Sequence, residues 1–180
     1  YGTPFISGKD SMFNDFKGFD EGGRPVNISV PPTLLVSSIG VMEDSARAVS
    51  LDAKMPGDIV YVLGDNNEEL GGSEYFAMMG EKTTGSKFIG NKVPEVFVDG
   101  NLRRYLAFGE AVRQGLVASA QSVHRGGLAL ALAKTAMGGM LGMEIDLEGL
   151  RSISMRSDFQ LYSESQGRIV VTVNPTLVLA

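Results

Sequence analysis

GLALALAKTAM, residues Gly127 to Met137, is rich in Ala and Leu and apolar nearly all round. Ala and Leu are strong helix formers, and a helix without a polar face has to be buried. Such a helix needs a covering layer, and the sequence around it offers strands. Asp58 to Leu63 (DIVYVL) is rich in β-branched residues and is followed by a Gly-Asp turn. Thr33 to Met42 (TLLVSSIGVM), Val117 to Val123, Met140 to Leu147 and Arg168 to Val173 read as further strands. Ser73 to Met79 predicts a short helix, with Ser73 as N-cap after Gly71-Gly72. Residues 80–100 are loop-like. Asn101 can cap a helix running to about Gln114, with Leu102, Tyr105, Leu106, Val112 and Leu116 near a 3.6 period and Arg103, Arg104, Glu110 and Arg113 on the other face; Gly115 is a natural stop. The order is strand, strand, helix, helix, strand, helix, strand, strand. It predicts an α+β domain, a mixed β-sheet with helices packed on it.

Ahead of this domain, residues 1–32 lack a period and scatter Gly, Pro, Asp and Asn as loops do. Pro31-Pro32 cannot donate to a ladder, which sets the expected division there: 1–32 as a tail and linker, 33–180 as the α+β domain. The chain opens at Tyr1 in a Gly/Pro-rich stretch and stops at Ala180 just past an apolar run, and so reads as a fragment of a longer protein. Its 180 residues are 43% hydrophobic and 21% charged, enough for one ordinary core. The net charge of −5 and the absence of any Lys/Arg run argue against a nucleic-acid partner. No apolar run is long enough to span a bilayer and no signal peptide is visible, so no membrane role is expected. There is no cysteine, which excludes disulfides, thiolate metal sites and a Cys nucleophile, and fits a cytoplasmic origin.

The stretch richest in chemistry is Pro4 to Asn14, PFISGKDSMFN. Backbone N–H groups around Gly8 and the hydroxyl of Ser11 can donate to phosphate oxygens. Lys9 can neutralise charge that builds up during transfer, and Asp10 can face Mg²⁺. It is not a Walker loop, and on spacing alone an exposed turn is the favoured reading. Gly71-Gly72-Ser73-Glu74 can be a helix start that holds an anion or a plain capped turn. His124, the single histidine, reads as a loop or strand-end residue rather than a general base. Asp65 to Glu69 (DNNEE) lacks metal-loop spacing and reads as a solvated turn.

SGKDSM followed by Phe-Asn is similar to a signature of the formylglycinamidine synthase family. Three further stretches agree in order and spacing: Glu69 to Tyr75 (ELGGSEY), Arg125 to Ala133 (RGGLALALA), and Leu161 to Arg168 (LYSESQGR) followed by an apolar strand and Asn174-Pro175. The resemblance covers nearly the whole chain. SGKDSM favours this family over its relatives, aminoimidazole ribonucleotide synthetase, selenophosphate synthetase, thiamine-monophosphate kinase and a hydrogenase maturation protein. It implies a fold like the C-terminal domain of aminoimidazole ribonucleotide synthetase. It implies an ATP- and Mg²⁺-dependent ligase that activates the amide oxygen of formylglycinamide ribonucleotide and lets ammonia displace phosphate. The ammonia would come from a glutaminase domain or subunit, and this chain would supply the tail of the second N-terminal subdomain plus most of the second C-terminal one.

Carried over by position, the resemblance makes Gly8, Lys9, Asp10 and Ser11 the substrate- and nucleotide-binding residues, with no catalytic residue in this chain. Gly8 falls where the backbone approaches nucleotide and Ser11 where the family contacts substrate phosphate. Lys9 stands where some members have a metal-ligating Asn, and a Lys cannot ligate a cation. The family's H-D-x-S-[DE] ahead of Gly-Gly is Gln121, Ser122, Val123, His124 and Arg125 here, with Ser122 and Arg125 replacing acidic residues. The pseudo-symmetric nucleotide site of this half is therefore expected to have lost its metal function. Glu164-Ser165-Gln166 is expected to be structural. Without its missing N-terminal half, the fragment is expected to be inactive and to self-associate through the apolar surface left open.

Overall fold

The computed structural model describes residues 1–9, 15–29, 31, 33–148 and 156–178. The chain divides into two compact units, Tyr1–Glu43 and Asp44–Ala180.

In the first unit, β1 (Phe16–Phe19) and β2 (Pro25–Ile28) form an antiparallel hairpin in register Phe16↔Ile28 to Phe19↔Pro25. Asp20 makes the turn. Its carboxylate accepts from the backbone N–H groups of Gly22 and Arg24 (both 2.9 Å) and from Arg24 Nε (2.8 Å). The Arg24 backbone bond, partly offset by desolvation, holds that carboxyl below its ordinary pKa. This hairpin lies in a stretch expected to be loop. Residues 33–42, expected to be a strand, have no regular structure. Leu35 is 90% and Val41 97% exposed. A β-branched run becomes a strand only when a partner takes up its backbone groups, and none of the described residues pairs with it.

In the second unit, β3 (Ile59–Leu63), β4 (Ser119–Ser122) and β5 (Ile169–Val173) form a sheet of order β3-β5-β4. Both pairings are antiparallel, Ile59↔Val173 to Leu63↔Ile169 and Ser119↔Thr172 to Ser122↔Ile169, where a mixed sheet was expected. The α+β class stands. Central β5 is buried from Ile169 to Thr172, which explains the apolar run Ile169 to Val171. The hydroxyls of Ser119 and Thr172 satisfy each other at 2.7 Å across β4 and β5.

Helix α1 (Glu74–Thr84) starts where expected, with Ser73 Oγ accepting from the Phe76 N–H, and runs past Met79 to a left-handed stop at Gly85. Helix α2 (Val98–Arg113) starts three residues before the expected cap. Asn101 lies buried in its first turn, its side-chain oxygen holding Arg104 at 2.7 Å. Helix α3 (Gly127–Gly139) lays Leu128, Ala131, Leu132 and Thr135 against the sheet, an i, i+3, i+4, i+7 stripe. Leu128, Ala131 and Leu132 form the core with Val123 and Val170. Burying a Leu or Val of this kind contributes about 1.5–3 kcal/mol. The far face is open, with Leu130 and Met137 exposed, so α3 is buried on one side rather than all round. A Cβ on Gly139 would sit 2.1 Å from the Ala53 carbonyl oxygen. Only glycine there lets residues 51–53 cross the end of α3, where the Ala53 N–H donates to Thr135 O at 3.0 Å.

Met140 to Leu147 is not a strand. Met140 takes a left-handed turn (φ 53°) that closes α3, and Met143 and Leu147 anchor the segment on the core. Helix α4 (Ser157–Tyr162), which the sequence reading passed over, precedes β5. Among the described residues no helix is long and apolar enough to cross a membrane.

Candidate functional site

Of the four residues expected to bind ligand, Gly8 and Lys9 lie in an irregular, exposed part of the first unit, and Asp10 and Ser11 fall outside the described residues. A Cβ on Gly8 would meet nothing within 4 Å, so no neighbour crowds that backbone.

The other three motif stretches meet within the second unit. Glu164, from the loop after α4, reaches two helix starts at once. Its Oε1 accepts from the Glu74 N–H of α1 (3.0 Å) and from the Gly126 N–H ahead of α3 (2.8 Å). Arg125 closes the same cluster by donating Nε to Glu74 Oε1 at 2.8 Å, with its terminal nitrogen bonded to the same oxygen. That pairing, with a smaller contribution from Glu164, raises the guanidinium pKa above its ordinary value. Tyr75 of α1 stacks on Tyr162 of α4 with ring centroids 4.5 Å apart and planes 1° from parallel. Gly127 (φ 67°) lets these segments approach, since a Cβ there would lie 2.7 Å from Leu161 O and the Tyr162 backbone.

Beneath this surface is a buried polar knot. Arg168, 1% exposed, donates Nε to Ser165 O at 3.3 Å and its terminal nitrogens to Ser163 O and Asn66 Oδ1. Burial pushes its pKa down to about 10, against a smaller opposing pull from Glu69, so it stays charged at neutral pH. Ser163 Oγ and Ser165 Oγ accept from the Glu69 and Asn67 N–H groups at 3.2 and 3.1 Å. Glu69 is buried, and its Oε1 accepts from the Glu95 N–H at 3.1 Å. The loop 65–69, expected to be a solvated turn, is therefore tied inward along most of its length, with only Asp65 exposed. The charged Arg168 directly ahead of the apolar run Ile169 to Val171 was the signal in the sequence for this knot; nothing there marked Glu164 as a bridge.

His124 and Ser122 are exposed, and His124 Nε2 lies 3.5 Å from Gln121 Nε2. Arg125 committed to Glu74 and an exposed serine hydroxyl do not make a Mg²⁺ donor set, which calls for carboxylate and carbonyl oxygens. A separate pocket of about 860 Å³ opens between β3, α3 and residues 141–147, lined by Val60, Val62, Leu128, Leu132, Met143 and Ile145 among others. Of the three motif stretches only Arg125 to Ala133 lines it, through Leu128 and Leu132.

Residues 55–179 match the family described as AIR synthase related protein, C-terminal domain. The chain is 30% identical over 175 residues to phosphoribosylformylglycinamidine synthase subunit PurL of Caldanaerobacter subterraneus subsp. tengcongensis, covering 97% of this chain and 21% of that protein. It is 33% identical over 172 residues to the same subunit of Methanocaldococcus jannaschii, covering 94% of this chain and 22% of that one. Among solved structures it is similar to T. maritima PurL complexed with FGAR, with a TM-score of 0.60 and 27% identity over 74% of this chain and 22% of that chain. A second structure of that protein, complexed with ATP, gives a TM-score of 0.52 and 27% identity over 73% of this chain and 20% of that one. The chain thus spans about a fifth of the length of the relatives it matches.

Proposed function

Because the chain belongs to the family of AIR synthase related C-terminal domains, we propose that it is part of the synthetase portion of a phosphoribosylformylglycinamidine synthase. The reaction is the ATP-dependent conversion of formylglycinamide ribonucleotide (FGAR) and glutamine-derived ammonia to the amidine, with ADP and phosphate released, in purine biosynthesis in the cytoplasm. The observation that carries this reading is spatial. Glu69 to Tyr75, Arg125 to Ala133 and Leu161 to Arg168, far apart in sequence, interlock through Glu164 and Arg168. The relatives that match 97% and 94% of the chain bear this enzyme's name.

In this reading residues 1–32 are the tail of the preceding N-terminal-type subdomain and 33–180 the C-terminal domain. The backbone at Gly8, the ammonium of Lys9, the carboxylate of Asp10 and the hydroxyl of Ser11 bind substrate and nucleotide, with no catalytic residue in this chain. ATP supplies the phosphoryl group that turns the amide oxygen into a leaving group, and Mg²⁺ screens its phosphates. The missing N-terminal half completes the site, a glutaminase domain or subunit supplies ammonia, and the fragment alone is inactive and free to self-associate.

The second reading, a scaffold half that touches no ligand, is favoured for residues 121–127. There Arg125 and Glu74 neutralise each other where an acidic residue would ligate metal. Purification of the longer protein with Mg²⁺-ADP retained at residues 121–127 would contradict it. The functional assignment is tested by ATP hydrolysis in the longer protein. Hydrolysis that needs both FGAR and ammonia is expected; hydrolysis indifferent to FGAR would return the chain to an unspecified ATP-using relative.

A further inference from the structure

The starts of α1 and α3 face one another, and each is an end where N–H groups lack helical partners and the helix dipole is positive. Two such ends converging, with Arg125 beside them, make a place that favours negative charge. The group found there is the chain's own. One oxygen of Glu164 accepts from the Glu74 N–H at 3.0 Å and the Gly126 N–H at 2.8 Å. Glu164 is held in turn from below, its own N–H directed at Glu69 O (3.4 Å) and the carbonyls on either side of it, Ser163 and Ser165, taken by Arg168.

We infer that Glu164 is a built-in anion: its carboxylate occupies the junction of the two helix starts, locks α1 to α3, and keeps phosphate out. Three features support this. The contact is bidirectional, tying two elements 52 residues apart rather than capping one. The loop that carries Glu164 is fixed by a buried guanidinium, so the carboxylate is held in position by its own loop as well as by the helices. Arg125 spends its hydrogen bonds on Glu74, leaving the cluster of Glu74, Glu164 and Arg125 with one net negative charge, which repels a further anion. The inference does not depend on the ligase reading, because it concerns only contacts within the second unit.

The test compares the wild-type chain with Glu164→Ala and Glu164→Gln. Hydrogen exchange is read at the backbone amides of Glu74 and Gly126, and Tm is read in phosphate and in chloride at equal ionic strength. In Glu164→Ala both amides exchange about tenfold or more faster. Phosphate, but not chloride, then raises Tm by about 2–4 °C and slows both amides again. Wild type shows no phosphate-specific shift. Glu164→Gln keeps an acceptor and loses the charge, so both amides accelerate by a smaller factor, about three- to tenfold; this variant decides the matter where Glu164→Ala does not fold. A wild-type phosphate shift equal to that of Glu164→Ala, a folded Glu164→Ala without one, or acceleration at one amide alone in either variant overturns the inference.

Discussion

Arg125 and Arg168 carry the same charge under opposite conditions, and the fold spends them differently. Arg125 is 78% exposed in its side chain and pairs with a half-exposed Glu74. Exposed pairs contribute about 0–1 kcal/mol, because water screens them and two long side chains lose freedom. Arg168 is buried, and its donors hold Ser163 O, Ser165 O and Asn66. Removing it takes a charged donor from each of those acceptors. Urea unfolding is expected to show Arg168→Met destabilised by about 3 kcal/mol and Arg125→Ala by far less; equal losses would contradict the knot. At the other end of the domain, bonds from Lys54 first, then Ser50, hold Asp52 at a pKa of about 2 against an ordinary 3.8. A carboxyl depressed by folding stabilises the fold above its unfolded value, and that contribution disappears as pH falls through about 2. Carbon-13 NMR should find Asp52 titrating near the lower figure, and Lys54→Ala should return it toward 3.8.

At the scale of elements, α3 shows what periodic sequence can and cannot tell. GLALALAKTAM declared a helix, and its register put Leu128, Leu132 and Thr135 on the sheet. Its open face was not legible, because Leu130 and Met137 are as apolar as the residues they turn away from. β5 was legible for the complementary reason, since a short β-branched run, Ile169 to Val173, suits a central strand. Met140 to Leu147 alternates as a strand would, yet the left-handed turn at Met140 and the two anchors Met143 and Leu147 take the segment off the sheet. The β1–β2 hairpin was hidden by its shortness and half-polar strands; the Asp20-Glu21-Gly22-Gly23 turn was its real signal. The junction between α3 and α4 rests on Gly127, which has both a left-handed backbone and no room for a side chain. Gly127→Ala is expected to destabilise the domain by about 2–4 kcal/mol, whereas Ala133→Gly in the same helix loses about 1 kcal/mol of helix propensity. Equal losses in urea melts would remove the packing argument.

Across the whole chain, the two units differ in how they are held. The second has a sheet, a core and the interlocked motif stretches; the first has one hairpin and the exposed run Leu34 to Val41. Limited proteolysis is expected to cut within residues 33–43 and leave a core beginning near Asp44. Protection of that run in the 180-residue chain would mean it has a partner. The candidate site was legible as motifs, because glycine pairs and charged triplets stand out against apolar helices and strands. Which motifs touch was not legible, since Glu164 meets Glu74 and Gly126 only through the folded backbone. Ligand binding is proposed for Gly8, Lys9, Asp10 and Ser11, whereas Arg125 and Glu164 belong to a cluster tied to Glu74 and Gly126. That separation is tested most directly by FGAR- and ammonia-dependent ATP hydrolysis in the longer protein, comparing wild type, Ser11→Ala and Arg125→Ala. The predicted result is a loss of about tenfold or more in kcat/KM for FGAR with Ser11→Ala, as for one charge-assisted phosphate contact, and a change within about twofold for Arg125→Ala, as for an exposed ion pair. An unchanged Ser11→Ala beside a crippled but folded Arg125→Ala would contradict it.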